Sequence, residues 1–471
     1  MMTGKNLDFF ERMAPERDRW KKKNKYYWED LEKICSFLIP ENTSVLEIGC
    51  GTGDLLSRIK AKKKVGIDYS PKMIEIAQKK YQDIKFILMA AENLAFNETF
   101  DYVILSNVIG YLEDIQKVLI ELRKVCHPHT KIIITYYNFL WQPLLNIAEF
   151  LNMRMKQPQQ NWLSKYDIIN LLYLAGFDAF KSGEHLLLPK NIPFISNFFN
   201  KYLAKLPLIR KLCITYYVIA KLFEFGNDCK DKYSVSVVIP ARNESGNIEN
   251  AILRMPLMGK YTEIIFIEGN SKDDTWDKIQ EISEKYSSIY DVKIDRQQGK
   301  GKGDAVRKGF EIAQGDILMI LDADLTVPPE DLPKFYDAIA SGSGEFINGS
   351  RLVYNMDKKA MRFLNLLGNK FFSIMFSWIL DQRFKDTLCG TKVLFKSDYE
   401  QIKRGRKFFG DFDPFGDFDL IFGASKLNLK IIEIPIQYKK RTYGSTNISR
   451  FRHGILLLKM CLFAAKKIKF F

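Results

Sequence analysis

The sequence predicts two consecutive α/β domains. Three observations carry that expectation. The chain has 471 residues, 46% of them apolar, which is too long for a single core and rich enough for two. A short apolar run enters a glycine turn and then a helical pattern in SVLEIGCGTGDLLSRI, residues 44–59. A second such run, DILMILDADLT at 316–326, holds Ile317 to Leu321, long enough for a buried parallel strand and too short for an ordinary helix.

Charge narrows the partners. The chain carries 71 Lys plus Arg against 56 Asp plus Glu, a formal +15. That excess suits nucleic acid, an anionic membrane or phosphorylated substrates. No zinc-finger spacing or arginine-rich tract points to nucleic acid, so no nucleic acid partner is expected. The C-terminal GILLLKMCLFAAKKIKFF alternates apolar blocks with lysines, which favours a membrane surface. The 7 cysteines are odd in number and hold no C-x-x-C pair, as in a reduced, cytoplasmic compartment. The charged N-terminus has no signal-like apolar region, and no stretch reaches the roughly 18 to 20 apolar residues that span a bilayer. A soluble protein, or a peripheral one on the inner face of the membrane, is expected.

In the N-terminal half, a polar lead-in and a helical segment from Trp28 to Leu38 precede the strand Val45 to Ile48. Gly49, Gly51 and Gly53 then form a turn almost without side chains, and a helix begins near Leu55. Such a turn lets backbone N–H groups approach a ligand. Its spacing is G-x-G-x-G, with Glu47 two residues before the first glycine, whereas dinucleotide-binding loops run G-x-G-x-x-G. The next strand, KVGID, ends in Asp68, from which a carboxylate can accept from both hydroxyls of a ribose. At these residues the chain resembles the class I S-adenosylmethionine-dependent methyltransferases, over about Leu31 to Lys221. The resemblance implies a Rossmann-like seven-stranded sheet with S-adenosylmethionine as cofactor. It places Glu47, Gly49, Gly51 and Gly53 along the methionine and ribose, Asp68 on the ribose, and Glu92 near the adenine, where Ala90 occupies the usual acidic position. The fourth and fifth strands are DYVILS and TKIIITYYN, and ITYYVIAKL closes the sheet as an antiparallel strand. Asn107 and Tyr111 lie where methyl acceptors commonly sit. Residues 138–162, rich in aromatics and amides, are either an acceptor lid or a helical hairpin over the sheet. Residues 187–225 are read as closing the domain rather than binding a membrane.

In the C-terminal half, SVSVVIPARNESGNIENAI and EIIFIEGNSKDDTWDKI each give a strand, a polar turn and a helix. GKGKGDAVRKGFEIAQ leads to the strand of DILMILDADLT. Polar groups therefore collect at the C-terminal ends of successive strands, where open α/β sheets bind ligands. Asp322 and Asp324 share a face as the strand frays, and both can reach one hard cation. These motifs resemble the family-two, GT-A-fold glycosyltransferases of the dolichol- or polyprenyl-phosphate mannose synthase type, over about Tyr233 to His453.

That resemblance implies a GT-A nucleotide-sugar-binding domain. Pro240, Arg242, Asn243, Glu244, Glu268, Lys302 and Asp304 border the nucleotide sugar; Asp322 and Asp324 bind Mg2+ or Mn2+. Arg351, Arg362, Lys392 and Arg441 hold a polyprenyl-phosphate or glycolipid acceptor, and His453 is a further candidate metal ligand. The metal neutralises the departing diphosphate while the acceptor inverts the anomeric carbon. A phosphate acceptor needs no strong base; a sugar hydroxyl requires Asp417 or Asp419 to take its proton. The expected domains are 1–225, a linker at 226–232, a glycosyltransferase domain at 233–453 and a basic amphipathic tail at 454–471. The expectation is a bifunctional transferase of cell-envelope glycan assembly. The rival is a glycosyltransferase acting on a glycan hydroxyl, with a non-catalytic methyltransferase-like scaffold.

Overall fold

The computed structural model describes residues 4–223, 231–351, 363–387, 389–406, 418–436, 439, 441, 443 and 450–470. Apart from the last two residues, the chain divides into two compact units, Met1–Phe223 and Glu224–Lys469. Arg362, Asp417 and the side chain of His453 lie outside the described residues.

The N-terminal unit is built on strands β1 (Ser44–Ile48), β2 (Lys63–Asp68), β3 (Lys85–Leu88), β4 (Phe100–Ser106), β5 (Cys126–Tyr137), β6 (Phe177–His185) and β7 (Thr215–Leu222). They form one 7-stranded sheet in the order β3-β2-β1-β4-β5-β7-β6. Only β7 runs against its neighbours β5 and β6. Alternate residues feed separate cores: Leu46, Ile132 and Ile134 pack on one face, Val45 and Ile133 on the other. A sheet covered on both sides requires the largely apolar runs that made these strands readable. The order reverses between β1 and β4, so a crevice opens beyond the C-terminal end of β1. Residues 138–162 form a 3-10 turn, Phe139–Trp141, running into one α-helix, Gln142–Phe150, followed by coil rather than a helical hairpin.

The C-terminal unit holds β8 (Ser234–Ala241), β9 (Tyr261–Glu268), β10 (Asp291–Arg296), β11 (Ile317–Ile320), β12 (Phe346–Ser350), β13 (Lys392–Phe395) and β14 (Ile431–Pro435). Their order is β10-β9-β8-β11-β13-β12-β14, with β13 antiparallel to β11 and β12. The reversal between β8 and β11 places the loop 321–326 at a second crevice. Helix Phe363–Leu380 turns Phe376 inward, where its ring lies 5.4 Å from Phe418 and 5.3 Å from Phe422. Helix Arg450–Ala464 buries Leu457, Met460 and Cys461 and leaves Ile455 and Leu462 exposed. Among the described residues, no helix is long and apolar enough to cross a membrane.

Candidate active sites

In the N-terminal unit, Gly49, Gly51 and Gly53 all adopt positive φ, at 71°, 54° and 79°. The N–H groups of Gly49 and Cys50 donate to the Ile67 carbonyl at 2.8 and 2.9 Å, tying the turn to β2. A Cβ at Gly49 would stand 2.5 Å from Val108 Cγ2, so a side chain there is excluded twice, by backbone and by space. Asp68 ends β2 and accepts from Gly51 N at 2.9 Å and Ser70 N at 3.0 Å. Each carboxylate oxygen keeps acceptor capacity for a hydroxyl. Burial raises the Asp68 pKa, and the backbone donors oppose that rise.

Glu47 is buried at 3% exposure, and its Oε2 has no hydrogen-bond partner. Burial pushes its pKa up to about 8 against the pull of Lys21 and Arg17. The turn and Asp68 border a cavity of about 260 Å³ with a strongly aromatic wall that includes Trp20, Tyr27, Tyr69 and Tyr111. A smaller cavity beside it is lined by Asp68, Tyr69, Met89 and Glu92, and Glu92 Oε2 is likewise buried without a partner.

Sequence reasoning missed the cover over this turn. Phe10, Arg17, Trp20 and Lys21 line the larger cavity. Lys21 pairs with Asp54 and donates to Thr52 Oγ1 at 3.3 Å, while Lys80 joins Asp18 at 2.9 Å to Asp54 at 2.6 Å. Burial alone would raise Asp54; Lys21, Lys80 and Tyr81 outweigh it and hold the carboxyl well below its usual range. The only sequence signal for this cover was a lead-in rich in aromatics and basic residues. Segment 138–162 does reach the cavity, with Trp141, Leu145, Met155 and Gln157 in its wall. Gln157 Oε1 accepts from Tyr111 at 2.8 Å, Asn107 Nδ2 donates to Tyr27 at 2.9 Å, and Tyr27 stacks on Tyr137 at 5.7 Å.

In the C-terminal unit, the acidic pair is held by cations. Lys302 Nζ lies 2.6 Å from Asp322 Oδ1. Burial would raise the Asp322 pKa, but Lys302, Lys392 and Arg351 together hold it down. Gly390 backs this contact so closely that a Cβ would fall 2.0 Å from Asp322 Oδ2. Asp324 Oδ1 accepts from Thr326 N and Oγ1 at 3.1 and 2.8 Å, and its Oδ2 meets Arg441 at 2.6 Å. Arg441 also reaches Glu244 Oε1 at 3.4 Å, so Glu244 joins the same cluster.

Around it, Pro240 lies in β8 beside Ile267 of β9, and Arg242 is exposed just beyond. Asn243 takes positive φ, its N–H donating to Ser271 Oγ at 3.0 Å and its Oδ1 accepting from Lys272 N at 2.8 Å. Glu268 ends β9, buried, and accepts from Ser271 N at 2.5 Å. The Arg296 guanidinium lies 3.9 Å from Glu268 and 4.2 Å over the Trp276 ring, a pairing absent from the sequence expectation. Asp304 accepts from Gly299 N at 2.7 Å.

Other expected residues are placed differently. Arg351 forks onto buried Asp386, with Nε and Nη2 donating at 2.7 and 2.8 Å. Lys392 is fully buried and donates to the Cys389 carbonyl, so it faces the interior beneath Asp322 rather than an exposed acceptor. Asp419, in the first turn of helix Phe418–Lys426, pairs with Arg406 at 3.3 Å and Arg307 at 3.9 Å. Among the described residues, no group of three or more His, Cys, Asp or Glu side chains is arranged to hold a metal. The acidic pair still offers oxygen donors alone, and Mg2+ is commonly held by one or two carboxylates with substrate phosphates completing its shell.

Comparison with known proteins divides the chain the same way. Residues 39–176 match the family model described as methyltransferase domain, and residues 236–401 match glycosyl transferase family 2. A dolichol-phosphate mannosyltransferase of Pyrococcus furiosus is 44% identical over 122 residues, covering 25% of this chain and 33% of that protein. The Saccharomyces cerevisiae dolichol-phosphate mannosyltransferase is 37% identical over 110 residues, or 22% of this chain, so the chain spans 33% and 40% of these two relatives. Glycosyltransferase AglJ of Haloferax volcanii is 28% identical over 230 residues, 48% of this chain and 71% of that one. The crystal structure of a methyltransferase from Thermotoga maritima aligns with 45% of this chain and 98% of its own, at 21% identity and a TM-score of 0.37. The chain thus carries a methyltransferase domain followed by a glycosyltransferase family 2 domain.

Proposed function

We propose that the chain transfers a sugar from a nucleotide-sugar donor to a polyprenyl-phosphate or related glycolipid acceptor with inversion, and transfers a methyl group from S-adenosylmethionine, in cell-envelope glycan assembly at the cytoplasmic face of the membrane. One observation carries the sugar-transfer half: Asp322, Asp324, Lys302, Arg441 and Glu244 converge at the C-terminal edge of the sheet. Glu268 and Asn243 border the nucleoside, and Lys302 and Arg441 supply positive charge for the diphosphate. Asp322 and Asp324 would hold Mg2+ or Mn2+, whose charge stabilises a departing nucleoside diphosphate. Arg351, oriented by Asp386, would receive the acceptor phosphate, which is largely ionised near neutrality and attacks without a strong base. Lys392 acts through its field on Asp322 instead of touching the acceptor. Asp419, engaged by two arginines, favours the phosphate acceptor over a hydroxyl that needs a base. The mannosyltransferase names of the relatives support the same acceptor class. The test is incubation with radiolabelled nucleotide sugars and a panel of polyprenyl phosphates, followed by organic extraction. Label confined to water-soluble glycan would reject the lipid-phosphate acceptor.

For the methyltransferase half, the partnerless oxygens of Glu47 and Glu92 fit the amine of a methionine and the exocyclic amine of an adenine, with Asp68 between them for a ribose. S-adenosylmethionine supplies a methyl on a good leaving group, so the protein contributes mainly position and exclusion of water. Tyr111, Gln157 and the helix Gln142–Phe150 supply both at the cavity wall. Calorimetric titration with S-adenosylmethionine tests it; no heat and no thermal protection would leave this half a scaffold.

A further inference from the structure

The cavity of the N-terminal unit opens beside large apolar side chains exposed to solvent. Helix Gln142–Phe150 gives Leu145 and Ala148 to the cavity wall and leaves Leu144 at its mouth, with Ile147 and Phe150 exposed beyond it, Phe150 at 88%. Hydrogen bonds tie the start of this stretch to residues 211–213. Asn138 Nδ2 donates to the carbonyls of Lys211 and Cys213 at 2.9 and 3.0 Å, and Trp141 Nε1 to that of Leu212 at 2.8 Å. The segment leading there exposes Phe194 at 93% and Leu208 at 81%, and Pro189 and Lys190 at its start line the same cavity. Single exposed apolar residues are ordinary; two hydrogen-bonded segments of them, each giving residues to one cavity wall, mark an interaction surface.

Charge decides what covers it. Between residues 186 and 214 the sequence holds five basic residues and no acidic one; Lys205 is buried and Arg210 pairs with Glu184 at 2.5 Å, so Lys190, Lys201 and Lys211 carry the charge this segment shows to solvent. A second copy of this chain would set that positive segment against itself. An anionic lipid surface accepts the aromatic and basic side chains together. We propose that this face seats the N-terminal domain on an anionic lipid surface, and that its methyl acceptor is a lipid-borne amphiphile whose polar head enters the aromatic cavity. The acceptor class rests on the methyltransferase reading above; the docking does not.

The full-length chain is tested by flotation with phosphatidylcholine vesicles, with and without phosphatidylglycerol. A Phe194→Cys variant in a Cys126→Ser, Cys229→Ser background, carrying an environment-sensitive fluorophore, reports the face itself, because Cys35, Cys50, Cys213, Cys389 and Cys461 are buried. Anionic vesicles should shift its emission to the blue, and spin-labelled lipid should quench it. Phe194→Asp combined with Leu208→Asp should lower vesicle partition by at least about tenfold, with S-adenosylmethionine binding unchanged. An unshifted fluorophore on floated protein, or wild-type flotation of the double variant, overturns the proposal. So does a shift that follows protein concentration without lipid, which would mark self-association. Failure of the methyltransferase reading shows separately, as absence of cofactor heat in the unmodified protein.

Discussion

Binding of S-adenosylmethionine should release a proton from Glu47. The buried carboxyl, raised to about 8, is largely protonated at pH 7 in the free protein. The ammonium of a bound methionine moiety favours the carboxylate, so below pH 8 binding must drive off the proton, and each pH unit costs about 1.4 kcal/mol, a factor of ten. Between pH 5.5 and 7 the ligand amine stays protonated and Glu47 is the group that changes. Affinity should therefore rise about thirtyfold over that interval. Calorimetry at pH 6.5 in buffers of different ionisation enthalpy should show about one proton released, and Glu47→Gln should release almost none. The same shift affects the free protein. A folded pKa above the unfolded value of about 4.3 means the native state holds the extra proton across the intervening range, so stability falls as pH rises from about 4.3 to about 8. Glu47→Gln should flatten that slope in thermal melts. A wild-type protein that binds without proton release, or a Glu47→Gln variant that releases as much, would refute the reasoning.

The C-terminal site yields three further expectations. Asp324→Ala removes the oxygen that meets Arg441 and should abolish metal-dependent sugar transfer while methyl transfer survives; full sugar transfer would refute the metal assignment. Gly390→Ala must move Asp322 or Lys302, since the new Cβ would lie 2.0 Å from one and 2.5 Å from the other. Sugar transfer should fall about 100-fold with S-adenosylmethionine binding intact, and a rate within twofold of wild type would show that the contact can yield freely. Asp386→Ala leaves the Arg351 guanidinium without its buried fork and should cost about 3–5 kcal/mol, lowering one calorimetric transition by roughly 10 °C. A midpoint within about 2 °C of wild type would show that the pair contributes little.

The strands that position both sites were legible because they are buried on two faces. β1, β4, β8 and β9 read as largely apolar runs, and the polar groups in and beyond them stand out by contrast. β6 and β10 went unread for the same reason inverted. Each lies at a sheet edge, half-buried, and FDAFKSGEH and DVKIDR carry charges through their length. Missing β10 also hid Arg296 and its approach to Glu268. Long-range partnerships had no local signature: Arg441 meets Asp324 across 117 residues. Lys21, which stands over the glycine turn, belongs to a lead-in with no strand or motif to mark it. Lys392, which the resemblance placed at the acceptor, begins strand β13 and is fully buried, a position that its residue type does not reveal.

The two sites differ in how they store charge, and the difference follows what each must bind. Glu47 is an acid kept dry and without a hydrogen bond on Oε2, which leaves it protonated and costly until a cation arrives. Such a site should discriminate strongly in favour of a positively charged ligand, because any neutral analogue leaves the carboxyl desolvated and unrewarded. Asp322 and Asp324 are instead already neutralised by Lys302 and Arg441, which lets two carboxylates sit on one loop at little repulsive cost. Those cations are also the groups that suit a diphosphate, so the acids orient them before any donor is present. The pairing predicts opposite salt responses. Nucleotide-sugar binding, which draws on partly exposed cations, should weaken as ionic strength rises, whereas the interaction at Glu47 is shielded by burial and should change much less. Parallel titrations of the two ligands across a salt series would separate these behaviours, and an equal loss at both sites would contradict the assignment of charge.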